Sequence, residues 1–298
     1  MLFKLISITL LLFFNCNGNK TPEKVNMPVP EMRIADDSLK FNYDPVLDEL
    51  RISLSSDFNL KTYSCFVIAS NLSETETRKI TDNTIASAEE CFYNNYFEKK
   101  PDDIIKIFLF KDDKSYRYWA KKLYNDDNDL SPYGYYKPSM KAMLMNINTG
   151  AGTLVHEMTH AFVRYDFPDI PSWFNEGLGS LYERCSMNNK EIKGYVNWRL
   201  PRLQKDISDN SYTSIEILVN TNDEEFYGEN SGSNYSQARY LCMYLQEKGL
   251  LKNFYKNFRD RYSEDNTGKK FLQEILNKNI SDIDSEFKTW AMRLVYND

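Results

Sequence analysis

The only two histidines of this 298-residue chain lie four apart, in the run His156-Glu157-Met158-Thr159-His160. On a helix, positions i and i+4 share one face, a turn apart. Two imidazoles so placed can bind one zinc ion, and the glutamate between them can hold a water that attacks a carbonyl. The flanks suit a buried helix, because apart from Glu157 no charge or proline falls between Gly150 and Val163. Leu154, Met158, Ala161, Phe162 and Tyr165 form an apolar stripe at helical spacing, and the histidines face another way. In a chain this poor in histidine, the pattern arises by chance on the order of once in several hundred cases. The competing reading is a core helix whose histidines only make hydrogen bonds. With no third histidine, a third protein ligand has to be an acid or a cysteine, which excludes the three-histidine metzincin arrangement.

Downstream, Pro168 and Pro171 separate the motif helix from a second one, predicted from an N-cap at Ser172 to about Cys185. Glu176 falls one turn into it. Two antiparallel helices would return Glu176 to the histidines, and Gly177 and Gly179 would let them approach closely. A His-His-Glu set with one open position is a catalytic zinc site. Taken alone, Glu176 reads more readily as a solvated acid favoured by the helix dipole; beside the H-E-x-x-H run, the ligand reading prevails. Glu183, two turns on, is the reserve ligand, or a carboxylate that orients a ligand histidine.

Together these residues resemble the gluzincin-type, peptidase MA-like zinc metallopeptidases. The shared elements are H-E-x-x-H followed by P-x-W-x-x-E-G, here Pro171, Trp173, Glu176 and Gly177. Gly134-Tyr135-Tyr136 and the segment Lys141–Asn146 match the family's glycine-tyrosine segment and the strand before the motif. Tyr235, Ala238, Leu241, Tyr244 and Leu245 match its Y-x-x-A-x-x-L-x-x-Y-L helix. The resemblance spans roughly residues 100–298. It implies a zinc peptidase fold acting on a peptide or protein substrate, with the strand Ala142–Met145 offering a sheet edge to an extended peptide. One departure stands out. Thermolysin-like enzymes carry an aspartate four residues after the glutamate ligand, where this chain has Ser180.

Residues 1–15 carry one charge, Lys4, then an apolar run from Leu5 to Phe14 that is too short to span a bilayer. They read as a secretory signal. The run ends at Asn15-Cys16, which resembles a bacterial lipoprotein signal with acyl chains on Cys16, although Asn15 stands where a small residue is usual. The chain is thus expected in the bacterial cell envelope, lipid-anchored on its periplasmic or outer side; an ordinary cleaved signal is the alternative. Losing residues 1–15 takes the formal net charge from −6 to −7. So acidic a chain argues against nucleic acid and against general adhesion to anionic lipid. Residues 16–40, with Pro22, Pro28 and Pro30, read as a flexible tether.

The expected class is α+β over residues 41–298. A mixed α/β lobe with a small sheet, about 41–165, includes the zincin-type active-site helix, and a mostly helical lobe, about 166–298, follows. Strands are predicted at 63–69, 104–110 and 142–146, and helices near 73–97 (from a capping box at Ser73–Glu76) and 114–124. Asn125–Pro138 reads as a loop. Its Asp126–Asp129 run lacks the spacing of a calcium loop. Further helices are expected near 190–208, 213–220, 233–248, 250–263, 268–278 and 282–296, with Asn222–Ser233 a loop lining the cleft. Cys65, Cys91, Cys185 and Cys242 match no zinc motif; they either pair or stay as buried thiols.

Chemically, His156, His160 and Glu176 would hold zinc, and Glu157 would act as base and then acid. Tyr235, with Arg239 a turn later, is the candidate to steady the oxyanion. Two rival readings share these residues: a lipid-anchored binding or assembly protein without turnover, and a zinc hydrolase of non-peptide amides. An intact Glu157 argues against the first.

Overall fold

The computed structural model describes residues 41–127 and 130–297. The signal-type segment, Cys16 and the tether lie outside the described residues. The chain folds as α+β, with a five-stranded mixed sheet and a largely helical C-terminal part. Helix α1 (Asp44–Ser53) leads into strands β1 (Asn59–Tyr63) and β2 (Phe66–Ser70). The single strand expected at 63–69 is therefore a hairpin. Ser64 takes φ 49° at its turn, a left-handed conformation that no hydrophobic pattern announces.

The Ser73–Glu76 capping box is present, and it opens α2 (Glu74–Ile80), which runs through a π-helical stretch, Thr81–Ala86, into α3 (Ser87–Asn95). Then come β3 (Ile105–Phe110), α4 (Asp113–Tyr124), β4 (Gly134–Lys137) and β5 (Ala142–Asn146). β4 lies inside the segment expected to be a loop. It is short and polar at its ends, and only its pairing with β5 makes it a strand. At Gly134 (φ 145°) an added Cβ would lie 2.7 Å from the Leu144 carbonyl oxygen, so close pairing requires glycine there.

The sheet order is β1-β2-β3-β5-β4, with β2, β3 and β5 parallel and β1 and β4 antiparallel at the edges. The central strands are buried on both faces, which is why they read as near-continuous apolar runs. Val67, Phe108, Phe110 and Leu144 pack towards Leu50 of α1 and Tyr116 and Trp119 of α4. Phe66, Ile68, Ile107 and Met143 face the larger core, which holds α3 and the helices that follow. β5 lies between β3 and β4, so the expectation that it presents a free edge is corrected: the edge is β4.

Two helices follow the sheet, α5 (Gly152–Asp166) and α6 (Ser172–Leu181). Pro171, not Ser172, occupies the N-cap of α6, and the Ser172 hydroxyl donates to Asp223 at 2.5 Å. The chain then makes a second hairpin, β6 (Cys185–Asn188) and β7 (Glu191–Gly194). Asn189 and Lys190 both have positive φ in its two-residue turn, the type I′ geometry that matches strand twist. The helix expected from 190 accordingly begins only at α7 (Leu200–Ser208). After it come α8 (Ile215–Val219), α9 (Asp223–Tyr227), α10 (Ser231–Glu247), α11 (Leu251–Asp260), α12 (Lys269–Leu276) and α13 (Ile280–Ala291). α9 stands in the expected cleft loop, where Asn222 and Glu225 form a capping box. Gly249, φ 70°, ends α10 as expected. None of Cys65, Cys91, Cys185 and Cys242 is paired. No helix of the described residues is long and apolar enough to cross a membrane.

Candidate metal centre

α5 and α6 place the site. Their close approach is local: a Cβ at Gly179 would stand 3.2 Å from His160 Cε1 and 3.3 Å from His156 Cε1, so α6 lies directly against both imidazoles. Gly177 serves another contact, since a Cβ there would meet the Ala238 carbonyl oxygen of α10 at 2.8 Å. Of the two glycines expected to bring the motif helices together, only Gly179 faces α5.

Glu176 returns to the histidines as the spacing predicts. Its Oε2 lies 3.3 Å from His156 Nε2 and 3.4 Å from His160 Nε2, and the two nitrogens are 2.9 Å apart. Four ligands set tetrahedrally at about 2.0–2.1 Å from one zinc ion are about 3.3 Å from one another. Glu176 Oε2 is also buried without a hydrogen-bond donor, a costly state for a carboxylate oxygen unless a cation faces it. On both counts His156, His160 and Glu176 form a group that could hold a metal ion.

Neighbouring side chains surround each of the three groups. His160 Nδ1 is 2.9 Å from Asn175 Oδ1, which fixes its tautomer and leaves Nε2 as the free lone pair. His156 Nδ1 lies 3.3 Å from Glu183 Oε1, an ion-pair distance without hydrogen-bond alignment. Glu183 thus lies on the Nδ1 side of His156, away from the three donor atoms that converge. It is held by Arg199 Nη2 at 2.8 Å, Arg199 Nε at 3.2 Å and Asn197 Nδ2 at 3.2 Å. The Ser180 hydroxyl bonds back to the Glu176 carbonyl oxygen of its own helix and does not reach the histidines. Tyr227 of α9 donates to Glu176 Oε1 at 2.8 Å.

The electrostatics follow from packing three carboxylates around two imidazoles. Burial alone would lower the pKa of His156, but Glu176 and Glu183 outweigh it and hold it well above 6.5. Burial likewise opposes, and Glu176 more than offsets, at His160, whose pKa is raised. Glu176 is pulled well below the ordinary range against its own desolvation, His160 being the main counterweight. Glu183, desolvated but facing His156 and Arg199, is held at about 2. The cluster therefore attracts positive charge, as protons or as a metal ion. Glu157 differs: desolvation dominates and raises its pKa. Its Oε2 accepts the Tyr136 backbone N–H of β4 at 3.1 Å.

A cleft of about 840 Å³ opens over these groups, lined by His156, Glu157, His160 and Glu176 and rimmed by Tyr133, Trp198, Tyr227 and Tyr235. Tyr235 lies on its wall, with the Arg199 guanidinium 5.2 Å from its ring centre. Arg239 does not reach the cleft. It is wholly buried, and its Nη2 donates to the Tyr195 carbonyl oxygen at 2.6 Å, so its expected role beside an oxyanion is withdrawn. Asp126 is half-buried and bonded to Lys137 and to the Tyr135 hydroxyl, and Asn128 and Asp129 lie outside the described residues.

Asn175, Asn197, Arg199 and Tyr227 were not singled out by sequence. Asn175 carries a signal in retrospect, as the residue next to Glu176. Tyr227 carries none, because its helix lies in a segment with the composition of a loop. Compared with known proteins, the chain matches no family model and none of the curated proteins.

Proposed function

We propose that the chain is a zinc-dependent metallopeptidase of the gluzincin type, cleaving peptide bonds in the cleft above α5. One observation carries this reading: the three donor atoms converge on one point, with the Glu157 carboxyl beside them at the floor of an open cleft. Zinc bound by His156, His160 and Glu176 would lower the pKa of a coordinated water towards neutrality and polarise a carbonyl.

The remaining chemistry belongs to the chain. Glu157, its pKa raised by burial, accepts the proton of the attacking water and passes it to the leaving amine. The Tyr136 N–H fixes that carboxylate. Asn175 and Glu183 hold the imidazoles so that their Nε2 lone pairs point inward. Tyr235 offers a hydroxyl to the developing oxyanion. Burial and the nearby Glu176 push its pKa up, so it stays protonated and able to donate at neutral pH.

An extended substrate would pair with β4. The Tyr133 carbonyl faces β5, where it accepts the Asn146 N–H at 3.0 Å, so by alternation the outward main-chain groups belong to Gly134 and Tyr136; with the Tyr136 N–H spent on Glu157, both groups of Gly134 and the Tyr136 carbonyl are left for a substrate. Such pairing reads backbone more than side chain. Attachment to the cell envelope through acyl chains on Cys16 is part of the proposal, and mass spectrometry of the N-terminal peptide tests it.

The test is metal analysis of the purified protein, followed by incubation with a mixed peptide library with and without a chelator. Zinc near one equivalent and chelator-sensitive cleavage support the reading. Zinc without peptide cleavage, but with hydrolysis of a non-peptide amide, would replace it with the amidohydrolase alternative. Zinc without any turnover would favour the binding protein.

A further inference from the structure

Two arginines line the cleft, and only one of them is committed. Arg199 is spent on Glu183, through both Nε and Nη2. Arg164 is exposed, lines the cleft, and makes no hydrogen bond or ion pair with any described residue. The carboxylate that feels its charge, Asp103, already has both oxygens engaged: Lys141 Nζ lies 2.5 Å from Oδ1, and the Tyr165 hydroxyl donates to Oδ2 at 3.0 Å.

Position gives this cation meaning. Arg164 follows His160 by four residues on α5, so it lies on the same helix face about 6 Å further along. Val163, Pro168 and Ile170, which lie near it in sequence and also line the cleft, offer no side-chain acceptor. The acids of the cleft floor, Glu157, Glu176 and Glu183, are occupied by the Tyr136 N–H, the histidines, Tyr227 and Arg199. A lone guanidinium in a partly walled cleft attracts a carboxylate and can take it bidentately.

We infer that Arg164 is a specificity-determining residue, and that the substrate carries a carboxylate two or three residues from the cleaved bond. The distance follows from about 6 Å along the helix against about 3.4 Å per extended residue. This rests on the proposed peptidase reading, so its test separates the two.

Cleavage sites in a mixed-sequence peptide library are mapped by mass spectrometry for the zinc-loaded wild type and for Arg164→Glu. In parallel, zinc-loaded Glu157→Gln, with and without Arg164→Glu, is titrated by fluorescence anisotropy with two blocked peptide pools identical except for Glu or Gln. Zinc content and thermal midpoint are checked for every variant. The expected result is enrichment of Asp and Glu near the cut in the wild type. Arg164→Glu lowers the acidic-over-neutral ratio by up to about fivefold and favours Lys and Arg, the size of one exposed charge pair. The binding preference falls in the same way. Cleavage with no acidic enrichment, or with enrichment that survives Arg164→Glu, overturns this inference and leaves the peptidase reading standing. Arg164-dependent preference in binding without any cleavage by the wild type overturns the peptidase reading and the spacing from a cleaved bond, and leaves Arg164 as the determinant of ligand charge. Neither cleavage nor preferential binding overturns both.

Discussion

Tyr227 donates its hydroxyl to Glu176 Oε1 at 2.8 Å, while the other oxygen of the same carboxylate faces both histidines. The phenol thus sets which oxygen is offered to a metal ion. Removing it leaves the ligands intact but frees the carboxylate to rotate. Tyr227→Phe is expected to weaken zinc binding about 10- to 100-fold with the fold unchanged. Competition with a chelator of known affinity measures this; unchanged affinity would mean that the bond orients nothing.

Glu176 and Glu183 both approach His156, through different ring nitrogens. Glu176→Ala should therefore abolish tight zinc binding, whereas Glu183→Gln should weaken it about 10- to 100-fold. Zinc titration of the two variants gives the order directly. If Glu183→Gln were the more damaging, the ligand would be Glu183.

On the proposed reading, the edge position of β4 would make its backbone, and not that of β5, the substrate contact. Tyr136→Pro deletes the N–H that holds Glu157 and interrupts the outward edge. It should lower kcat/KM on peptides by two orders of magnitude or more while zinc content stays near one equivalent. Tyr136→Phe removes only a buried hydroxyl that has no partner, and should change stability by less than about 0.5 kcal/mol. Equal peptide kinetics for the two variants would remove β4 from the substrate site.

Asp166, at the end of α5, ties the metal helix to two other parts of the core. It accepts the backbone N–H groups of Glu98 and Lys99 at 2.7 and 2.8 Å, the Tyr255 hydroxyl at 2.9 Å and Arg259 Nη1 at 2.9 Å. Burial by itself would raise its pKa; the Lys99 and Glu98 N–H groups, then Arg259, outweigh it and the pKa is lowered. A carboxylate with a depressed folded-state pKa stabilises fully above its unfolded pKa, about 3.9, and loses that contribution as pH falls through the folded value. Asp166→Asn should thus cost about 3 kcal/mol at pH 7, and progressively less below about pH 4. Denaturant unfolding of both proteins at pH 7 and pH 3 checks this; a gap independent of pH would show that the carboxylate's charge contributes nothing.

The central strands and the motif helix were legible because burial and period agree: β3, broken only by Lys106, and β5 are apolar runs, and α5 carries an apolar stripe. The elements that were missed depend on things periodicity does not encode. Ser64, Asn189 and Lys190 take positive φ and turn the chain into hairpins. β4 exists through its partner, and α9 is a five-residue helix in an acidic, glycine-containing stretch. At the site, His156, Glu157, His160 and Glu176 could be found from spacing because one helix turn and one short link fix them. Arg199, Asn197 and Tyr227 come to the ligands from distant segments, and Arg239, helical neighbour of Tyr235, turned out to be buried away from the cleft.

The central claim is that Glu157 is a base beside a metal ion it does not bind. Its carboxylate is held by the Tyr136 N–H, and Glu176 supplies the acidic ligand. The decisive measurement is zinc content and peptide hydrolysis for wild type and Glu157→Gln side by side. We predict one equivalent of zinc in both, with kcat in the variant reduced at least a hundredfold. A variant that holds zinc and cleaves peptides at the wild-type rate would contradict the account.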